Sequence, residues 1–154
     1  MDIARLIEER DYLKKQFPRV QALNDPPTLY EGLIRCEQGP VVELAKQGIW
    51  PFIDYIKWHR FRMELPSEFP YKPPIVTWLT PIAHPNIVPG VKRAVCVSTL
   101  GDAWTPNTRL STIVNSLEFL LTDPNPLNAF DHELCLRARD VCLKYGFPRR
   151  TPKK

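Results

Sequence analysis

Between Pro81 and Pro106 the chain runs His84-Pro85-Asn86-Ile87-Val88-Pro89-Gly90, then Val91-Lys92-Arg93-Ala94-Val95-Cys96-Val97, and closes on Trp104-Thr105-Pro106. No long helix or strand fits this stretch, because prolines and a glycine interrupt every run of apolar residues. A segment of that length without regular structure inside a compact domain marks a functional loop. It sets one cysteine between a proline-fixed turn that carries an amide and a second turn headed by a tryptophan. The fold is decided by what stands on either side.

On the N-terminal side the pattern is strand-like. In Thr28–Glu37, Tyr30, Ile34 and Cys36 alternate with Glu31, Arg35 and Glu37. Tyr55–Leu65 places Phe61, Met63 and Leu65 on one face and Arg60, Arg62 and Glu64 on the other. That alternation is the period of a half-buried strand. Ile56 and Trp58 fall out of phase, which predicts a bulge near His59. Val20–Leu23 and Ile75–Leu79 are two shorter strands, and Asn24-Asp25-Pro26-Pro27 is a turn. Residues 41–53 read as an ordered loop with one helical turn. Ahead of the strands, residues 2–16 form an amphipathic helix capped by Asp2. Ile3, Leu6, Ile7, Leu13 and Phe17 lie near its inner face, and Arg5, Glu8, Glu9, Arg10, Lys14 and Lys15 cover the outer one.

On the C-terminal side helical periodicity returns. Ser111 is placed to cap a helix in which Ile113, Val114, Leu117, Leu120 and Leu121 form a core stripe. Asp123-Pro124-Asn125-Pro126 makes a stiff turn. A last helix over 131–145 would bury Leu134, Ala138, Val141 and Tyr145, with Gly146 as its stop. The predicted class is α+β: an N-terminal helix, a four-stranded antiparallel meander, a long loop and two C-terminal helices. One domain is expected over 1–147, followed by a basic tail over 148–154.

The chain has 154 residues, 44% of them apolar, which suits a single soluble domain with its own core. Its 17 prolines exclude a helical bundle. A net charge of +4, with no basic block large enough for a nucleic-acid footprint, argues against nucleic-acid binding. No apolar run suits a signal peptide or a membrane span, and a cytoplasmic monomer is the expectation. Cys36, Cys96, Cys135 and Cys142 contain no CxxC pair and no metal-ligand spacing with the histidines. Taken alone, Cys96 between Val95 and Val97 reads more readily as a buried structural thiol than as a nucleophile.

Several motifs in fixed order bear on that choice. They are the loop Phe69-Pro70-Tyr71-Lys72-Pro73-Pro74, the triplet His84-Pro85-Asn86, Cys96 shortly before Trp104, then Thr105-Pro106, and Asp123-Pro124-Asn125-Pro126. From Leu65 to about Asn128 the chain resembles the ubiquitin-conjugating enzymes. The resemblance implies the UBC fold and an acyl-transfer role that needs no metal or organic cofactor. Cys96 would take the C-terminal carboxyl of a ubiquitin-like protein as a thioester from an activating enzyme. It would then release it to a lysine amine or to a ligase. A non-catalytic binding module of the same fold is the alternative, and the cysteine argues against it. A cysteine hydrolase using Cys96 and His84 lacks a third, orienting residue.

The resemblance also assigns roles by residue. Asn86 would donate to the oxyanion that forms when an amine attacks the thioester, or would hold the loop through backbone bonds. His84, Pro85, Trp104 and Asn128 would support the site. Tyr71 sits where the family shows an aromatic to a RING-type ligase, with Thr105 and Pro106 as the companion loop. Three departures stand out. The Asn86-to-Cys96 spacing is about two residues longer than in the family, which puts the loop 88–93 in question. Asn128 stands where many members carry an acid that tunes the incoming lysine, and an amide cannot do this by charge pairing. That task would fall to Asp102, to Asp131 or to a partner. The third is Ala83, where tyrosine is frequent.

Overall fold

The computed structural model describes residues 1–36 and 57–145. Helix α1 (Ile3–Gln16) leads into strands β1 (Val20–Ala22), β2 (Leu29–Arg35), β3 (Trp58–Glu64) and β4 (Ile75–Trp78). Helices α2 (Leu110–Thr122) and α3 (Glu133–Tyr145) follow the long loop, which holds a single 3-10 turn at Ser98–Leu100. The four strands form one antiparallel sheet in the order β1-β2-β3-β4. This is the predicted α+β meander. The predicted loop over 41–53, the start of the third strand at Tyr55, the stop at Gly146 and the basic tail lie outside the described residues.

Asp2 caps α1 as its sequence suggests, its carboxylate accepting from the Ala4 N–H at 3.0 Å. Tyr30 and Ile34 of β2, Phe61 and Met63 of β3, and Val76 and Trp78 of β4 share one core with Leu6 and Leu13 of α1. The α2 stripe of Ile113, Val114, Leu117, Leu120 and Leu121 completes it.

The predicted bulge near His59 is absent. Pairing runs unbroken from Leu29 opposite Glu64 to Arg35 opposite Trp58. Trp58 is out of phase because it belongs to the outer face of the sheet. There its ring lies under the Arg19 and Arg35 guanidinium groups, at 4.6 and 5.5 Å from its centroid. The buried partner of Phe61 and Met63 is His59, whose ring packs on Trp78.

Three further expectations change. Ile3 and Ile7 are exposed, and the charged Glu9 is buried in their place at 1% exposure. Its carboxylate accepts from the Leu110 N–H at 3.1 Å and pairs with Arg109 and Arg5. Glu9 therefore caps α2, while Ser111 is buried in its first turn. The inner face of α3 is turned by one residue: Cys135, Ala138 and Cys142 are buried, and Leu134 is 40% exposed. The side chain of Tyr145 lies outside the described residues.

Candidate functional site: a half-buried thiol at an open groove

The triplet His84-Pro85-Asn86 is buried throughout. The His84 ring accepts the Asn86 N–H on Nδ1 at 3.0 Å, and its Nε2 lies 2.8 Å from the Leu120 carbonyl. One nitrogen accepting fixes the tautomer with the proton on Nε2, which donates to Leu120. Burial lowers the His84 pKa to about 4, against the smaller opposing pull of the Leu120 carbonyl, so the ring is neutral at physiological pH. Both nitrogens are occupied away from Cys96. A hydrolase in which His84 activates Cys96 has no geometric basis here.

The Pro85 carbonyl accepts from the Phe130 N–H at 3.0 Å. Asn86 does more. Its Oδ1 accepts from the Asn125 N–H at 2.7 Å, and its Nδ2 donates to the carbonyls of Asn125 at 2.9 Å and Asn128 at 3.1 Å. With the side chain 1% exposed and both amide N–H groups used, Asn86 clamps the turn between α2 and α3.

The long spacing between Asn86 and Cys96 is absorbed without separating their backbones. Residues Val88 to Ala94 leave and return as a closed excursion, pinned by Val88 N–H to Ala94 carbonyl at 2.9 Å. The Gly90 N–H reaches the Trp78 carbonyl at 2.7 Å, and φ values of 77° at Gly90 and 60° at Arg93 make the reversal. Val88 and Ala94 pack together with Cys135 and Phe130. Beneath the excursion Ile87 bridges Val95, and the Cys96 N–H donates to the Asn86 carbonyl at 2.9 Å.

Of the four free cysteines only Cys96 is not buried. Burial pushes the Cys135 thiol up to about 11 and that of Cys142 to about 12, which keeps both protonated. Cys96 opens onto a groove of about 1150 Å³ whose walls include Asp102, Phe119, Asn125 and Asn128. Asp131 does not line it. The Asn128 amide stands over the thiol, Nδ2 to Cys96 Sγ 3.6 Å. In the sequence Asn128 reads as site support standing in place of an acid, with no sign of contact with the sulfur. Its closeness to the sulfur follows from the Asn86 clamp on residues 125–128, and no local pattern announces that.

Trp104 ties two loops together. Its Nε1 donates to the Pro70 carbonyl at 3.0 Å and its ring packs on Phe69. Tyr71, next in the chain, is 80% exposed, and Thr105 and Pro106 are exposed too. Arg5, expected on the solvated face of α1, instead donates to the Pro106 carbonyl at 2.9 Å. Among the described residues, no helix is long and apolar enough to cross a membrane.

Helix, four-stranded meander, clamped loop and C-terminal helices together define one class of protein. The chain belongs to the ubiquitin-conjugating enzyme family: the profile described as "Ubiquitin-conjugating enzyme" matches residues 55–145. It is 30% identical over 122 residues to ubiquitin-conjugating enzyme E2 6 of Arabidopsis thaliana, and 30% over 123 residues to E2 5 of the same plant. Those matches take in 71% and 72% of this chain and 61% of each relative, so the chain spans about three fifths of their length. Among solved structures it superposes on the E2 domain of a Toxoplasma gondii ubiquitin-conjugating enzyme with a TM-score of 0.71 at 22% identity, over 93% of this chain and 87% of that one. The H. polymorpha ubiquitin-conjugating enzyme Pex4p, solved in complex with the soluble domain of Pex22p, gives 0.65 at 17% identity over 92% and 94%.

Proposed function

We propose that this chain carries a ubiquitin-like protein as a thioester on Cys96. The observation that carries the reading is the contrast among its thiols. Three are buried, and the fourth stands half-buried at the lip of an open groove. In the first step the Cys96 sulfur attacks the modifier's thioester on an activating enzyme. A new C–S bond forms, the old one breaks, and the activating enzyme recovers its thiol. In the second step a lysine amine attacks the acyl carbon, forming an amide bond while Cys96 leaves as thiolate. Alternatively, a ligase cysteine takes the acyl group by a second exchange. The bond energy already resides in the thioester, so positioning is what remains for the protein to supply.

An extended peptide tail would reach the sulfur along this groove of about 1150 Å³. His84, Pro85 and Asn86 serve this site as scaffold, holding the turn that forms its wall. Tyr71, Thr105 and Pro106 form the docking edge for a RING-type ligase, joined to the thiol's loop through Trp104. The test is to mix the protein with activating enzyme, ATP and ubiquitin or its relatives and to run non-reducing gels. A thiol-sensitive adduct that disappears in Cys96→Ala is the expected result. No adduct with a modifier and activating enzyme already shown to work together would contradict the reading.

A further inference from the structure

Attack of an amine on a thioester puts a negative charge on the acyl oxygen before the C–S bond breaks. A donor aimed at that oxygen lowers the barrier. The two asparagines at this site are differently placed to provide one. Asn86 has no donor to spare: both N–H groups of its amide go to the Asn125 and Asn128 carbonyls, and its oxygen is held by the Asn125 N–H. To serve the oxyanion it would have to release the turn it clamps.

Asn128 is the reverse case. Its side chain is exposed, and the one side-chain hydrogen bond it makes among the described residues runs from Nδ2 to Cys96 Sγ at 3.6 Å. The acyl oxygen of a thioester is two bonds from that sulfur. A donor already this close to Sγ is within hydrogen-bond reach of the oxygen when the acyl group turns towards it. Once Cys96 is ionised or acylated, only the N–H face of the amide can donate to it. The Asn86 clamp holds the Asn128 backbone at 3.1 Å, and so fixes where this amide hangs.

We infer that Asn128 is the catalytic oxyanion donor of this chain, and that Asn86 acts through it as a positioning residue. The inference deepens the carrier reading above and rests on it. In the step, the amine nitrogen bonds to the acyl carbon, the carbonyl electron pair moves onto oxygen, and the Asn128 N–H donates to it. The pair then returns, the C–S bond breaks, the thiolate leaves on Cys96 and the amine's proton passes to solvent. The missing acid is thereby reinterpreted. An amide at 128 supplies a donor to the acyl oxygen, which a carboxylate there cannot.

A test independent of modifier and activating enzyme separates failure of this inference from failure of the carrier reading. Cys96, the one accessible thiol, is acetylated with p-nitrophenyl acetate, with Cys96→Ser as the blank. Release of the acetyl group by hydroxylamine as acetohydroxamate is then timed. Hydroxylamine needs no help to lose a proton near neutral pH, so a residue that only tunes lysine has no effect on this rate. Asn128→Ala should slow release about tenfold. This is less than the roughly 10²–10³ of a buried oxyanion donor, because Asn128 is open to water. Asn128→Asp should be slow as well, since an ionised carboxylate cannot donate. Asn128→Gln, with an amide on a longer arm, should recover part of the rate. Release from Asn128→Ala within twofold of the unaltered protein would overturn the assignment. So would an Asn128→Asp that keeps full speed.

Discussion

Both ring nitrogens of His84 are spent on the backbone, one on Asn86 and one on Leu120, and the ring is sealed from water. Burial is what makes it a fixed strut instead of a base. The same burial has a stability consequence. The ring titrates at 6.5 when free and at about 4 when folded, so between these values the unfolded chain holds the extra proton. The stabilisation is complete above pH 6.5 and is lost as the pH falls towards 4. The slope is about 1.4 kcal/mol per pH unit from this one group. Urea unfolding measured across that window should show the decline, and His84→Asn should flatten it. An equally steep slope in the variant would assign the decline to other groups. The residue scale also holds what the sequence hid at the site. The motif His84-Pro85-Asn86 is visible in the chain, but the partition of roles between Asn86 and Asn128 depends on amide hydrogen bonds across 39 and 42 residues of sequence.

At the scale of elements, one buried carboxylate joins two helices. Glu9 of α1 caps the first turn of α2 through the Leu110 N–H and faces Arg109 and Arg5. Removing one partner of a buried, hydrogen-bonded charge leaves the others unsatisfied, a cost of about 2–4 kcal/mol. Glu9→Ala should lower the urea midpoint accordingly, while Glu8→Ala, whose carboxylate is exposed, should leave it nearly unchanged. Equal effects of the two would mean that α2 does not depend on this cap. The alternation of Tyr30 and Ile34 with Glu31 and Arg35, and of Phe61 and Met63 with Arg60 and Arg62, was legible because each strand buries its own apolar face. The α2 stripe was legible for the same reason. Glu9 was not, since its burial depends on partners about a hundred positions away. The phase of α3 was missed because the residues that face inward are two cysteines and an alanine, which a reading led by leucine and valine passes over. Trp58 suggested a bulge because cation–π contacts on the open face of a sheet leave no mark in a hydrophobic pattern.

The whole molecule separates its proposed tasks in space while linking them through the loop. Trp104 holds Pro70, Arg5 of α1 holds Pro106, and Tyr71 stands clear of both. The thiol opens onto the groove beside α2. Tyr71→Ala should therefore weaken ligase-stimulated discharge several-fold, a loss typical of an exposed aromatic anchor, and leave charging by the activating enzyme intact. Loss of charging as well would make Tyr71 part of the frame. The central claim, that Cys96 itself holds the modifier, is tested most directly by the mass of the Cys96→Ser protein after incubation with activating enzyme, ATP and a modifier. The predicted product is an adduct on residue 96 that resists thiol and yields to alkali, as an oxyester does. The unaltered protein should give an adduct that thiol cleaves. A thiol-resistant bond in the unaltered protein, or an adduct mapped to any other residue, would contradict it.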